Sequence, residues 1–423
     1  MVSQYPPTSV DDMTIGLLSS AEVDLVRADM AASSSRVSPA IRKNLLRIEA
    51  ITSARIDGFD VGYRDLLRLE ASVAASKRRN ENCEHLFLLA RKQESPDAHG
   101  LVAAYRYMRA IEWVAENIKK GSPVTIETFN KIRSLYDEEE ISLVANDPDF
   151  CSSVRRISSW RREREEDHFG WNNRREIEDY VAFLSSDVLT PAAQAEISHA
   201  MLQMIKPYEG SLDGFERLFT HLLFYRRGLL TQSIAPLAAG PASNIEQHVR
   251  SLTSNMSYIS KPEPEHRAIQ ADFNDSAHCT RIAARTMKVV IEAIEYYATK
   301  WEAQLGRPKS SSATCMLTRS LLKSGCITVD AACEDTGKSF SAINNAMSAL
   351  VENGIAAEVG CLSKHRLFLA HDTAVFFEKL ISRLSSPDGP NRNELLLEFE
   401  TALGTEGEGA SAEASEDTAK RQV

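Results

Sequence analysis

Between Ser19 and Trp301 apolar positions recur at spacings of three and four, and Gly and Pro fall at joints instead of alternating with short β-runs. The pattern predicts a mainly α body. Ile41, Leu45, Leu46, Ile48 and Ile51 share one helical face, and the glycines at 58 and 62 then end that helix near Asp57-Gly58. Val102, Tyr105, Tyr107, Met108, Ile111, Trp113, Val114 and Ile118 mark a longer helix, stopped by Lys119-Lys120-Gly121. Pro191 opens another through Ala200, Met201, Met204 and Ile205, which stops at Lys206 because the residue before Pro207 is pushed out of the α region. A further helix runs from Phe215 to Arg227 and is closed by Gly228. Its N-cap is Ser211 or Asp213, and Glu216 completes a capping box with Asp213.

Two stretches depart from this pattern. From Cys151 to Trp171 aromatic and β-branched residues sit among Arg155, Arg156, Arg161, Arg162 and Arg164, offset by Glu163, Glu165, Glu166 and Asp167, with His168 beside them; a short hairpin or loop fits. From Ala313 come a helix to Leu322, a stop at Ser324-Gly325, a short helix after Thr328, a turn at Gly337 and a helix from Ser339 to Glu352. Ile355 to Val359 and Leu367 to Leu369 then alternate like a small hairpin. Helix, helix, turn, helix and hairpin outline a winged helix-turn-helix, with Phe340, Ile343, Met347 and Leu350 as core. The chain divides into an N-terminal helical region (1–95), a helical core (96–305), the winged module (306–384) and a tail (385–423) whose composition predicts disorder.

Charge changes this picture little. Lys+Arg number 49 and Asp+Glu 59, a net charge of −10, which excludes coating nucleic acid by bulk charge. Nine acids and three bases in the last 38 residues place −6 of that in the tail. No apolar run reaches the roughly 18–20 residues of a membrane span, and the N-terminus lacks a signal layout, so the expectation is a cytoplasmic protein. Seven scattered cysteines without a Cys-x-x-Cys pair suit reduced thiols and give no zinc spacing.

The order of segments from Ala50 to Leu230 resembles the Fic family, helical proteins of which most transfer AMP from ATP onto a protein hydroxyl. Ser53, Asp57 and Gly58 fall where the family's N-terminal regulatory helix reads Ser-x-x-x-Glu-Gly, with aspartate for glutamate. His199 stands seven residues before Lys206, as a histidine commonly stands before the family's catalytic motif. Trp160 is similar to the aromatic of its substrate-holding flap, Arg226-Arg227-Gly228-Leu229-Leu230 to the exit of the motif's helix, and a C-terminal winged helix is a frequent companion. A bacterial source is what the resemblance implies.

The motif itself departs. Against His-Pro-Phe-x-Asp-Gly-Asn-Gly-Arg-x-x-Arg the chain, without gaps, reads Lys206-Pro207-Tyr208-Glu209-Gly210-Ser211-Leu212-Asp213-Gly214-Phe215-Glu216-Arg217. The family's general base becomes Lys206, whose reference pKa of about 10.4 makes it a poor proton acceptor unless burial lowers it. The magnesium-holding acid becomes Gly210, and a one-residue deletion that put Glu209 there would displace Arg217. Asp213 sits in the anion-cradling turn, where a carboxylate occupies the N–H groups and repels polyphosphate; Gly214 replaces the phosphate-binding arginine. The resemblance implies that the regulatory acid, here Asp57, binds the motif's last arginine, here Arg217. The alternative is that Arg217 pairs with whatever carboxylate lies near it.

Three readings follow. In the first the chain is a catalytically degenerate scaffold or regulator with a protein partner, no cofactor and compatibility with a homodimer. In the second it remains a nucleotide-dependent protein modifier that uses ATP and magnesium through Lys206 or Glu209. In the third it is a DNA-binding regulator, with Lys338, Ser339, Ser341, Asn344 and Asn345 at the start of a recognition helix and Lys364, His365 and Arg366 in a wing. A protein-binding winged helix is the rival for that last surface.

Overall fold

A computed structural model describes residues 10–78, 98–136, 174–205, 214–260, 266–362 and 365–384. Trp160, Lys206, Glu209, Ser211, Asp213 and Lys364, the flap with its arginines and His168, and the tail lie outside the described residues. The fold is mainly α, and no described helix is long and apolar enough to cross a membrane.

The N-terminal half consists of α1 (Asp12–Ser34), α2 (Ser38–Ile56), α3 (Tyr63–Arg78), α4 (Ala98–Asn117) and α5 (Ile126–Tyr136). Asp11 caps α1, its carboxylate accepting from the Thr14 N–H at 2.6 Å. Next come α6 (Arg174–Ser185), α7 (Pro191–Ile205), α8 (Phe215–Arg227), the short α9 (Ala239–Ser243), α10 (Ile245–Ser260) and α11 (His266–Gln304). At 39 residues α11 spans about 58 Å, and α1 lies along it.

Helix α2 is the axis of the molecule. An amphipathic helix would bury one stripe, yet 13 of its 19 residues are buried, among them Asn44, Arg47, Glu49, Thr52 and Ser53. It packs against α4, α9, α11 and two helices of the C-terminal segment, so it has neighbours on every side. Its end is set by Gly58, whose φ of +89° only glycine adopts without strain. The Gly58 N–H donates to the Arg55 carbonyl at 3.0 Å, closing the last turn.

The C-terminal segment runs α12 (Ala313–Ser324), β1 (Cys326–Thr328), α13 (Val329–Thr336), α14 (Phe340–Glu352), β2 (Ala356–Leu362), β3 (His365–Ala370) and α15 (His371–Leu384). The three strands form one antiparallel sheet in the order β1-β3-β2, with Cys326 opposite Leu369 and Ala357 opposite Leu369 on the other edge. Strand β1 is not legible from periodicity, because all three of its residues are buried and none alternates. Ile343, Met347 and Leu350 are core, but Phe340 is corrected: it is 60% exposed. As the first residue of α14 its side chain leans back beyond the helix start, where no neighbouring turn covers it. Cys279, Cys315, Cys326 and Cys333 are free thiols.

Candidate functional site

Where α7 and α8 pack together, near the end of α2, a cluster of buried polar groups collects: Ser53, His199, Glu216, Arg217 and His221. Gly214 is the N-cap residue of α8, at φ +75° and with no side-chain cap. Asp213, the expected partner of Glu216 in a capping box, lies outside the described residues; Glu216 itself accepts from Gln203 Nε2 at 2.9 Å. Glycine suits 214 for its φ, and the space beside it is tight. A Cβ there would stand 3.2 Å from Ser53 Oγ, 3.3 Å from Arg217 Nη2 and 3.3 Å from Tyr136 Oη.

Arg217, one turn into α8, is 6% exposed and held by α2. Its Nε donates to Ser53 Oγ at 2.9 Å, and its Nη2 donates to the Ser53 carbonyl at 3.1 Å and to Asp57 Oδ2 at 2.5 Å. Its Nη1 lies 3.7 Å from Glu216 Oε1. Burial works against the charged guanidinium, but Asp57 and Glu216 outweigh it and hold Arg217 above the ordinary arginine range. Burial likewise favours neutral Glu216, and His199 with Arg217 outweighs it, so that carboxyl lies below the usual range.

One turn away on both helices is a second group, which sequence reasoning missed. Glu49 Oε1 accepts from Tyr107 Oη at 2.9 Å and lies 2.8 Å from His221 Nε2, while Oε2 accepts from the Ala238 N–H at 2.7 Å. Glu49 and Ser53, like Arg217 and His221, are four residues apart, so the two pairings stack along the contact of α2 with α8. A charged residue inside the apolar run from Leu45 to Ile51 was the available signal.

Behind Arg217 lies a cavity of about 70 Å³, lined by Glu49, Glu196, His199, His248, Asp275 and Thr280 among others. Such a volume holds a few water molecules. His199 Nε2, 3.5 Å from Glu216 Oε1, and Glu216 Oε2 have no hydrogen-bond partner among the described residues. The His248 ring packs 5.3 Å from that of His199. Burial first, then His199 and Arg217, push the His248 imidazole well below its usual range, so it is neutral.

The candidates in the C-terminal segment are spread along α14 and β3. Ser339 is the N-cap of α14, accepting from the Ala342 N–H at 3.4 Å. Ser341 and Asn345 face outward, while Lys338 and Asn344 are half-buried. Arg366 is engaged by Glu358, with Nε 2.9 Å from Oε2, and its guanidinium lies 5.0 Å from the Phe368 ring centre.

No family model and no curated protein matches the chain. Among solved structures, the crystal structure of a Fic family protein from Desulfovibrio desulfuricans is similar, with 13% sequence identity and a TM-score of 0.42, over 87% of this chain and 98% of that one. At that identity and score the likeness decides nothing about the site, which is read from the residues of this chain.

Three of the hydrogen bonds of the Arg217 fork are spent on α2, Gly214 offers no side chain, and no group of three or more His, Cys, Asp or Glu among the described residues could hold a metal. What the arrangement does chemically is neutralise a buried guanidinium with its own neighbours.

Proposed function

We propose that the chain is a Fic-type scaffold or regulatory protein that has lost AMP transfer and whose remaining arginine anchor is withheld by its own helix α2. The observation that carries this reading is the seating of Arg217 between Ser53 and Asp57, with the Asp57 side chain itself only 6% exposed. A guanidinium so engaged would have to leave three hydrogen bonds and a buried carboxylate to meet a phosphate. Replacement of the family's base by Lys206, of its metal ligand by Gly210 and of its phosphate-binding arginine by Gly214 points the same way. Incubation with labelled ATP, magnesium and a cell lysate is expected to give no labelled band above background, with or without Lys206→His. Labelling of the chain or of a target by the unmodified protein overturns the reading.

The order of elements in the C-terminal segment supports a winged helix, and its charges favour a protein partner over DNA. Arg366 is already answered by Glu358, and α13 carries Asp330, Glu334 and Asp335 where a helix-turn-helix approaches the phosphate backbone. A salt-sensitive, sequence-specific DNA complex that weakens on Asn344→Ala is the result that reverses this preference.

A further inference from the structure

Successive residues of a helix are about 100° apart, so Glu49, Ser53 and Asp57 share one face of α2, and Asn44, Arg47 and Arg55 fall on the opposite one. The first face carries the site. The second is fastened to the C-terminal segment by four hydrogen bonds to backbone carbonyls. Asn44 Nδ2 donates to Leu322 O at 3.3 Å, Arg47 Nη1 to Lys323 O at 2.9 Å and Arg47 Nη2 to Ser324 O at 2.8 Å. Arg55 Nη1 donates to Ile381 O at 3.1 Å.

All four acceptors lie in the last turn of a helix, α12 or α15, where carbonyls have no intrahelical donor and carry the negative end of the helix dipole. The arginines of α2 thus cap two helices of the C-terminal segment. Arg47 is fixed in turn by Glu70 of α3, 2.6 Å from its Nε, and Glu70 also takes Lys43 at 2.9 Å. The fit is close: a Cβ on Gly325, just past α12, would stand 2.7 Å from Leu67 Cδ2.

We propose that the segment 313–384 regulates the Arg217 site by holding α2 where Ser53 and Asp57 occupy the guanidinium, so that drawing α12 or α15 away from α2 frees Arg217. The inference rests on the reading of Arg217 as a withheld anchor. Helix α2 transmits the displacement because it is a continuous, buried rod about 28 Å long. A shift of its outer face therefore moves its inner face with it.

The test is the rate at which phenylglyoxal modifies Arg217 in the full chain, followed by peptide mass spectrometry. Arg226 serves as internal control: it is on the same helix and buried, but bound to Ser122 O and Asp187, away from α2. Asp57→Ala, which frees the guanidinium directly, is expected to raise modification of Arg217 about tenfold, the change that ~1.4 kcal/mol of lost restraint produces. Arg55→Met and Arg47→Met are expected to raise it in the same direction while Arg226 stays protected. Arg55→Met keeps the test open should the more deeply buried Arg47 prove indispensable for folding. If Asp57→Ala exposes Arg217 and neither outer-face variant does, or if Arg226 is exposed in parallel, the coupling is wrong. If Asp57→Ala itself leaves Arg217 protected, it is the withheld-anchor reading that fails, and the coupling falls with it.

Discussion

Arg47 and Arg217 are both buried guanidiniums at the surface of α2, and they are treated differently. Arg47 is 1% exposed, paired with Glu70 and donating to two carbonyls and Asn44, and no atom of its fork is left over. Arg217 is also engaged, through Nε and Nη2, but among the described residues His199 Nε2 and Glu216 Oε2 beside it have no hydrogen-bond partner, a cavity opens behind it, and a left-handed glycine begins its helix. Buried polar networks are fully satisfied where they only hold a fold together. Under the proposed function, the contrast sets Arg47 down as architecture and Arg217 as the withheld anchor of a site.

The largest effect belongs to the architectural side. Glu70→Ala leaves Arg47 as an uncompensated charge in the interior and is expected to cost about 3–5 kcal/mol in chemical denaturation. Asp57→Ala should cost about 1.5–3 kcal/mol, the range for a lost hydrogen bond to a charged group, because Ser53 and Glu216 still answer Arg217. Equal losses from the two substitutions would erase the distinction between the two arginines. Gly214→Ala follows, at about 1–2 kcal/mol for a left-handed residue with a Cβ. Measured against the Asp57→Ala background, its cost should fall, since the Cβ then has a guanidinium that is able to move.

A pH scan sharpens the same point. His248 has its imidazole pushed well below 6.5 chiefly by burial, so the unfolded chain binds a proton there more readily than the folded one. Its contribution is complete above about pH 6.5 and is lost as the pH falls below that toward the depressed folded value. Glu216 acts lower, its contribution present above the ordinary carboxyl range and lost as the pH drops through the folded value beneath 4.5. His248→Phe is expected to flatten the stability curve between pH 7 and pH 5 and leave the lower limb in place. An unchanged curve would mean that the cavity around His248 is open enough to solvate a charged ring.

What the sequence made legible was what is written locally. The spacing of Ile41 to Ile51, the stop at Gly58 and the run from Phe215 to Gly228 each reproduce an element to within a residue or two. Asp57 and Arg217 could be set side by side only through the family resemblance, since 160 residues separate them. Glu49 and His221, 172 residues apart, had no such guide, and Arg47 reads as an ordinary surface arginine until its carbonyl partners are seen. Polar residues on a helix that is buried all round carry no periodic signature, which is why half of the site and the whole of the C-terminal attachment stayed hidden.

The smallest expected effect concerns Phe340, which helical spacing placed in the core together with Ile343 and Met347. Core truncation at Met347→Ala should cost about 2–5 kcal/mol, as removal of a buried long side chain does. Phe340→Ser should stay within about 0.5 kcal/mol of the parent chain, because a ring 60% exposed gives up little buried surface. A loss above 1 kcal/mol that grows with protein concentration would show the ring covered in solution by a second copy of the chain. The outer face of α14 would then be an interface and no longer a free surface, and the comparison of the two arginines would have to be repeated on that dimer.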